Sequence, residues 1–309
     1  MITSNWNDLT PVEEYNGILY KRDDAFMPFA DCPITGGKVR QCLSLIGKNL
    51  NKIKNECDGL VATGTSVNSP QGIVVARSAK EFSLDCLIVV GGTNAKSLRE
   101  NITMQWVIDS GAQIDTKCKL GYDTTLNSRI KQIKETQPLY HIKFGINLED
   151  NPDAIINSIA YQVQNLPHDL ENLIIPTGSA ITAGGVLVGL KQYGIKVKRV
   201  IVVQISGYDR QSTLKKIFYT SDPKGDWNKR PRYEYVADKT YPYSKQLKIK
   251  LNRLGEYLDP VYEAKGYDWM MKNINVKNEK TLFWIVGNSY YVRELTPQMY
   301  REEIALSSQ

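Results

Sequence analysis

A chain of 309 residues, 42% hydrophobic and 23% charged, can bury a full core as one large or two intimately joined domains, which excludes a disordered or fibrous polymer. Its formal charge of +6 is modest for the length, so it permits an anionic cofactor or partner without making the chain a nucleic-acid binder. No apolar run reaches the roughly 18 residues that cross a bilayer. Met1–Asp8 also lacks a signal peptide's basic and apolar regions, so a soluble cytoplasmic protein without membrane contact is expected.

In chain order, apolar runs and helical spacings alternate. Ile18–Tyr20 reads as a strand, Lys38–Leu50 as a helix, Gly59–Ala62 as a strand and Gln71–Phe82 as a helix. Leu87–Val90 and Ala112–Ile114 read as strands around a helix at Ala95–Asp109, followed by helices at Thr125–Glu135 and Asp153–Gln164. Leu173–Ile175, Val200–Ile205 and Leu282–Val286 complete the strands, with helices at Thr182–Tyr193 and Asp209–Tyr219. Strands alternating with helices predict an α/β fold of parallel sheets covered on both faces.

The least regular stretch, Ser221–Gln246, carries Lys224, Gly225, Trp227, Lys229, Arg230, Pro231 and Arg232 before tyrosines at 233, 235, 241 and 243. It reads as a solvated loop with its tyrosines folded onto a neighbour. Phosphate contacts with base stacking are the alternative reading, permitted but not favoured.

Five cysteines, Cys32, Cys42, Cys57, Cys86 and Cys118, form no C-x-x-C pair, and His141 and His168 are isolated. No disulfide framework and no metal site is expected, and the thiols read as small core groups. With so few histidines, acid-base chemistry falls to lysine, tyrosine or carboxylates.

Four segments carry candidate chemistry. Thr35-Gly36-Gly37-Lys38 opens a helix: glycines permit a sharp turn and close approach, and a desolvated lysine at a helix start can become a nucleophile. An ordinary loop with a surface lysine remains the alternative. Ser66-Val67-Asn68-Ser69-Pro70-Gln71-Gly72 follows a strand; it reads either as a capping turn or as a place where Asn68 donates to a ring hydroxyl. Thr177-Gly178-Ser179-Ala180-Ile181-Thr182 joins a strand to a helix through small residues and hydroxyls, which suits a phosphate at a positive helix end. It has neither the lysine of a nucleotide P-loop nor the dinucleotide fingerprint. The fourth, Asp259-Pro260-Val261-Tyr262-Glu263-Ala264-Lys265, enters a helix near the C-terminus.

Taken in order with Thr10-Pro11 and Lys21-Arg22-Asp23-Asp24, these segments resemble the fold-type II pyridoxal-phosphate (PLP) enzymes of the tryptophan-synthase-β superfamily. The nearest pattern is that of 1-aminocyclopropane-1-carboxylate deaminase and D-cysteine desulfhydrase. The resemblance implies a large PLP-binding domain, residues 1–45 plus 145–309, and a small domain, 46–144, each with a mainly parallel sheet and the cofactor between them. It makes Lys38 the Schiff-base lysine that later moves the Cα proton, and Tyr262 an acid or base beside the substrate. Asn68 would hold the cofactor's ring oxygen, Thr177, Gly178, Ser179, Ala180, Ile181 and Thr182 its phosphate, and Glu263 its pyridine nitrogen. Ser66, Ser69, Gln71 and Tyr241 are the candidate substrate contacts, and the resemblance allows a homodimer.

The sequence departs from that pattern at several points. Val67 stands where a serine is expected, Gly36-Gly37-Lys38 is shortened, Ala180-Ile181 replace a glycine pair, and Gly287-Asn288 replace Thr-Gly. Phe144-Gly145-Ile146 also departs from a double glycine. The cofactor residues are kept and the substrate residues changed. The leading expectation is a PLP-dependent lyase or deaminase acting on a small amino acid through a Cα carbanion. Alternatives are a PLP enzyme decarboxylating or eliminating from an amino-acid group carried on a nucleotide or modified DNA base, and a PLP-binding protein without catalysis.

Overall fold

The structure, a computed structural model, describes residues 6, 8–146, 148, 151–205, 208–222, 230–251 and 257–307. All seven apolar runs form strands, with shifted ends. In chain order the strands are β1 (Val12–Tyr15), β2 (Ile18–Arg22), β3 (Thr35–Gly36), β4 (Leu60–Gly64), β5 (Asp85–Gly91) and β6 (Gln113–Cys118). They continue as β7 (Tyr140–His141), β8 (Asn172–Thr177), β9 (Arg199–Gln204), β10 (Tyr233–Ala237), β11 (Thr281–Ile285) and β12 (Gly287–Asn288). The larger sheet has the order β1-β2-β11-β8-β9-β10, in which only β1 is antiparallel to its neighbour. The smaller, β6-β5-β4-β7, is parallel throughout.

Alternation along each strand explains why both faces are covered. Leu173 and Ile175 of β8 join one cluster with Val200, Val202, Leu282 and Trp284, whereas Ile174 joins another with Ile201, Val203, Phe283 and Ile285. The first cluster runs on through Val39, Cys42, Leu43 and Ile46 to Val61, Ile88 and Val90, so one apolar core joins the two sheets. All five cysteines are buried thiols. No helix among the described residues is long and apolar enough to cross a membrane.

Two expected helices are each broken by an asparagine. Residues 38–50 form Gly37–Lys48 and then Leu50–Glu56, parted at Asn49, whose Nδ2 donates to Leu45 O at 2.8 Å. Residues 95–109 form Ala95–Glu100 and Ile102–Asp109, because extended Asn101 accepts from Met104 N at 3.0 Å and so caps the second helix. The loop expected over Ser221–Gln246 contains the edge strand β10. Tyr233 and Tyr235 pack inward there, and Glu234 faces out to Arg199 at 2.9 Å. Lys224, Gly225, Trp227 and Lys229 lie outside the described residues.

The Lys21-Arg22-Asp23-Asp24 segment builds the polar interior of this fold. Arg40 Nη1 donates to Asp23 Oδ1 at 3.1 Å, with both side chains sealed from water. Asp23 also accepts from Thr10 Oγ1 at 3.0 Å and from Trp284 Nε1 at 3.1 Å. Lys21 Nζ, fully buried, donates to Thr10 O at 2.7 Å and Asn165 Oδ1 at 2.6 Å. A buried charge is tolerated only with such partners. Asp23→Ala strands the Arg40 guanidinium and should cost about 3–5 kcal/mol; an unchanged urea midpoint would contradict it.

Burial pushes the Lys21 ammonium down from 10.5 to about 8, against the pull of Asp23. The unfolded chain therefore binds more protons between those values, so this group's contribution is full above pH 10.5 and is lost as pH falls through about 8. Lys21→Met should flatten the rise in urea midpoint over that window.

Candidate active site

Lys38 is placed by glycine. At Gly36, φ is +99°, and an added Cβ would sit 2.3 Å from Gly287 Cα and 2.5 Å from Val286 O. Only glycine lets β3 lie this close to β12. Gly37 N then donates to Val286 O at 2.8 Å, and Lys38 follows in the first turn of the helix Gly37–Lys48. Lys38 keeps some accessible surface, yet protein surrounds its ammonium closely enough for desolvation to lower its pKa, partly opposed by Asp259 and Glu263. Among the described residues no hydrogen bond or ion pair engages its amine.

Glu263 starts the helix Glu263–Asn273 and is buried; its Oε1 accepts from Val286 N at 3.1 Å. Val286 thus touches both halves of the site, its carbonyl taking Gly37 and its amide holding Glu263. Burial, with Asp259 nearby, pushes the Glu263 carboxyl well above the usual range. Asp259, also buried, spends its charge on protein donors. Oδ1 accepts from Val261 N at 2.9 Å and Tyr262 N at 3.1 Å, and Oδ2 accepts from the amide and hydroxyl of Ser289. This ties the turn carrying Tyr262 to the chain after β12. The Tyr262 ring lies against Gly178, where an added Cβ would be 2.4 Å from Cε1. Its hydroxyl shares a 2.6 Å hydrogen bond with that of Tyr243, and burial raises its pKa.

Gly178 opens the small-residue loop, which leads from β8 into the buried helix Ile181–Gln192. Thr177 Oγ1 accepts from Ala180 N at 3.1 Å, holding Ala180 at φ +64°, and no side chain caps the helix. Ser179 and Thr182 flank this N-terminus. Gln41, three residues after Lys38, donates from Nε2 to Thr182 Oγ1 at 3.4 Å, so the lysine helix reaches the loop. Lys38, Tyr262, Glu263 and the 177–182 loop are accordingly brought together by contacts through Val286, Gln41 and Gly178. Uncapped amides at a positive helix end suit an anion, an unpartnered amine suits a carbonyl carbon, and a buried carboxylate that forms no ion pair among the described residues suits a protonated ring nitrogen.

The other expected contacts fall elsewhere. Gln71 is fully buried and its amide is consumed by protein: Nε2 donates to Thr63 Oγ1 at 2.9 Å and Lys143 O at 3.2 Å, and Oε1 accepts from Gly145 N at 2.6 Å. It positions the Lys143–Gly145 crossing, where a Cβ on Gly145 would lie 3.7 Å from Ser179 Cβ, and has no amide group left for a substrate. Asn68 is exposed; Asn101 Nδ2 donates to its Oδ1 at 2.8 Å and Arg293 Nη1 to its main-chain oxygen at 3.1 Å. Ser66 is exposed, while Ser69 Oγ accepts from Gln71 N at 3.3 Å, the capping-turn reading. Val67 packs against the main core. Tyr241 lies under Lys272, 5.7 Å from its ammonium and beside the far end of the helix Glu263–Asn273.

Tyr243, two residues on, meets Tyr262 instead. Lys265 holds it there: buried to 1% exposure, its ammonium donates to Pro242 O and Tyr243 O, both at 3.0 Å. No local signal distinguished Tyr243 from Tyr241; the chain turns between them, with Lys245 N donating to Pro242 O at 3.0 Å, and only tertiary contact selects one. Asp259→Ala would leave four donors of Val261, Tyr262 and Ser289 without their acceptor, and a loss of about 3 kcal/mol in thermal denaturation is expected.

No protein-family model matches the chain. It is similar to the O-seryl-dTMP PLP-dependent decarboxylase of Salmonella phage ViI, at 24% identity over 90% of this chain and 80% of that protein. Among solved structures it is similar to an ACC deaminase homologue, with a TM-score of 0.69, 18% identity and coverage of 97% and 93% of the two chains. It is also similar to the O-acetylserine dependent cystathionine β-synthase from Helicobacter pylori, with a TM-score of 0.59, 17% identity and coverage of 94% and 97%. The processed threonine deaminase isoform 2 from Solanum lycopersicum gives 0.58 at 17% identity, covering 92% and 87%. The chain therefore has the fold of the fold-type II PLP enzymes, as its motif order implies.

Proposed function

We propose that this chain is a PLP-dependent enzyme acting at the Cα of an amino-acid group, and that the group is carried on a nucleotide and loses its carboxylate. The observation that carries the first part is the convergence of a desolvated amine without a hydrogen-bond partner, a buried carboxylate without an ion-pair partner among the described residues and an uncapped helix N-terminus on one region. These residues fit the cofactor: Lys38 would hold it covalently, the 177–182 loop its phosphate and Glu263 its pyridine nitrogen. Bound there, PLP supplies an electron sink for the bond cleaved at Cα.

The remaining chemistry belongs to the side chains. A lowered pKa keeps a larger fraction of the Lys38 amine neutral near physiological pH than in an ordinary lysine, so that it can take up the proton that the substrate's ammonium group gives up and pass it on to Cα. Loss of the carboxylate leaves Cα in need of one proton, and Lys38 Nζ is the group to deliver it. A raised pKa keeps the Tyr262 hydroxyl protonated, a hydrogen-bond donor backed by Tyr243. Glu263, beside a cationic ring nitrogen, would regain the ionised form that burial alone opposes.

The nucleotide-linked reading is supported by the likeness to the phage decarboxylase along most of both chains. Val67 points the same way. Where the deaminase pattern places a hydroxyl suited to a free amino acid's carboxylate, this chain has a partly buried valine packed against the core. A lyase or deaminase of a small free amino acid is the second reading, favoured by the likeness to the ACC deaminase homologue and by the adjacent Tyr262 and Glu263.

Purified protein should show the visible absorbance of bound PLP, and borohydride followed by peptide mapping should place the label on Lys38. Lys38→Ala should abolish both; a wild type that takes up no added PLP refutes the cofactor assignment. Carbon dioxide release from an amino acid linked to a thymidine nucleotide, with none from free amino acids, is the expected specificity. Ammonia or sulfide release from free amino acids would select the second reading.

A further inference from the structure

The segment carrying Tyr243 continues as an extended run in which apolar and basic residues alternate. Leu247, Ile249 and Leu251 pack into the cluster on one face of the larger sheet, while Lys248 and Lys250 between them are exposed. An extended chain sends neighbours to opposite sides, so this pattern produces one buried and one cationic edge. Backbone bonds from Leu247 N to Pro260 O at 3.0 Å and from Leu258 N to Ile249 O at 2.9 Å fasten the run to the stretch leading into Tyr262. With exposed Lys239 and Lys245, residues 238–251 carry four lysines against one acid, Asp238.

Aromatic rings lie beneath the lysines. Tyr257 and Tyr290 stack with centroids 4.4 Å apart and planes 17° from parallel. The Lys250 ammonium stands 5.7 Å from the Tyr257 ring and that of Lys248 5.7 Å from Tyr290. Glu294 pairs with Lys248 at 3.1 Å, whereas Lys239, Lys245 and Lys250 meet no acid among the described residues. This face adjoins the cleft from two directions. Tyr290 follows Ser289, which donates to Asp259, and Tyr243, which bonds Tyr262, lies five residues before Lys248, in the turn closed by Lys245 N donating to Pro242 O.

We propose that this lysine edge is a polynucleotide-binding surface, which takes the phosphates flanking a nucleotide whose amino-acid group enters the Lys38 cleft. The substrate is then a residue within a nucleic-acid strand. The inference rests on the nucleotide-linked reading above and narrows it. Lysines spaced along an extended chain neutralise successive phosphates and release their counterions, while the half-buried Tyr257 and Tyr290 rings support the lysine side chains from below. A phosphate at Lys248 would displace Glu294.

The test is salt-dependent binding of a short fluorescein-labelled single-stranded oligonucleotide to the PLP-loaded protein, for wild type and for Lys248→Gln with Lys250→Gln. Wild type should bind at low salt. The double variant should bind at least ~10-fold more weakly and show a salt slope smaller by about 1.4, two single-strand phosphate contacts, with its PLP absorbance unchanged. No binding by wild type, equal binding by the variant, or equal competition by dextran sulfate overturns the proposal. A thymidine nucleotide bearing an amino acid separates it from the parent reading. If that nucleotide perturbs the PLP spectrum while the strand fails to bind, the strand proposal falls and the nucleotide reading stands. Strand binding lost in the variant, without any nucleotide response, supports the surface and counts against the parent reading.

Discussion

The position of the candidate nucleophile depends on a buried ion pair. Asp23, just after β2, holds Arg40 two residues beyond Lys38, and the same carboxylate takes Thr10 and the Trp284 indole from β11. One acid therefore ties the N-terminal segment, two neighbouring strands of the larger sheet and the start of the Lys38 helix. In a low-dielectric interior neither charge can be left alone, which favours the assembly that brings these elements together. The glycine contact of Gly36 with Gly287 completes the constraint from the other side.

Within the cleft, charge is distributed unequally between two neighbouring carboxylates. Asp259 is saturated by four protein donors and acts as a brace for the Tyr262 turn. Glu263 accepts from main-chain amides and forms no ion pair among the described residues, so burial, with Asp259 nearby, outweighs the amides and raises its pKa. The contrast separates a structural acid from one available to a ligand. Val286 couples Glu263 to the Lys38 loop through a single residue's amide and carbonyl, and a displacement of either would be felt by the other.

The strap from 238 to 251 connects this interior to the surface. Lys265, buried in the helix that Glu263 begins, spends its ammonium on the carbonyls of Pro242 and Tyr243, so the brace for the strap comes from within the site's own motif. Tyr243 is thereby held on Tyr262 while the following lysines stay in solvent. Cleft chemistry and the cationic edge thus share one piece of chain.

By itself the sequence determined seven of the strands, most helices and the motif order around Lys38, Glu263 and the 177–182 loop, but not the short or edge strands β1, β3, β7, β10 and β12. These rest on local periodicity, on glycine and small-residue steric freedom, and on residue types whose chemistry does not depend on distant partners. Tertiary structure alone decided who those partners are. Gln71 lies in a motif that suggested ligand contact, yet its amide is used 74 residues away at Gly145; Asn68 meets Asn101 and Arg293; Asp23 and Lys21 become interior braces. Tyr241 and Tyr243 are chemically equivalent in sequence, and only the Lys265 anchor assigns Tyr243 to the cleft. Hydrogen-bond partners far apart in the chain are set by how sheets and helices pack, which local pattern does not encode, whereas the alternation of Leu247, Lys248, Ile249 and Lys250 was readable once a buried face was known.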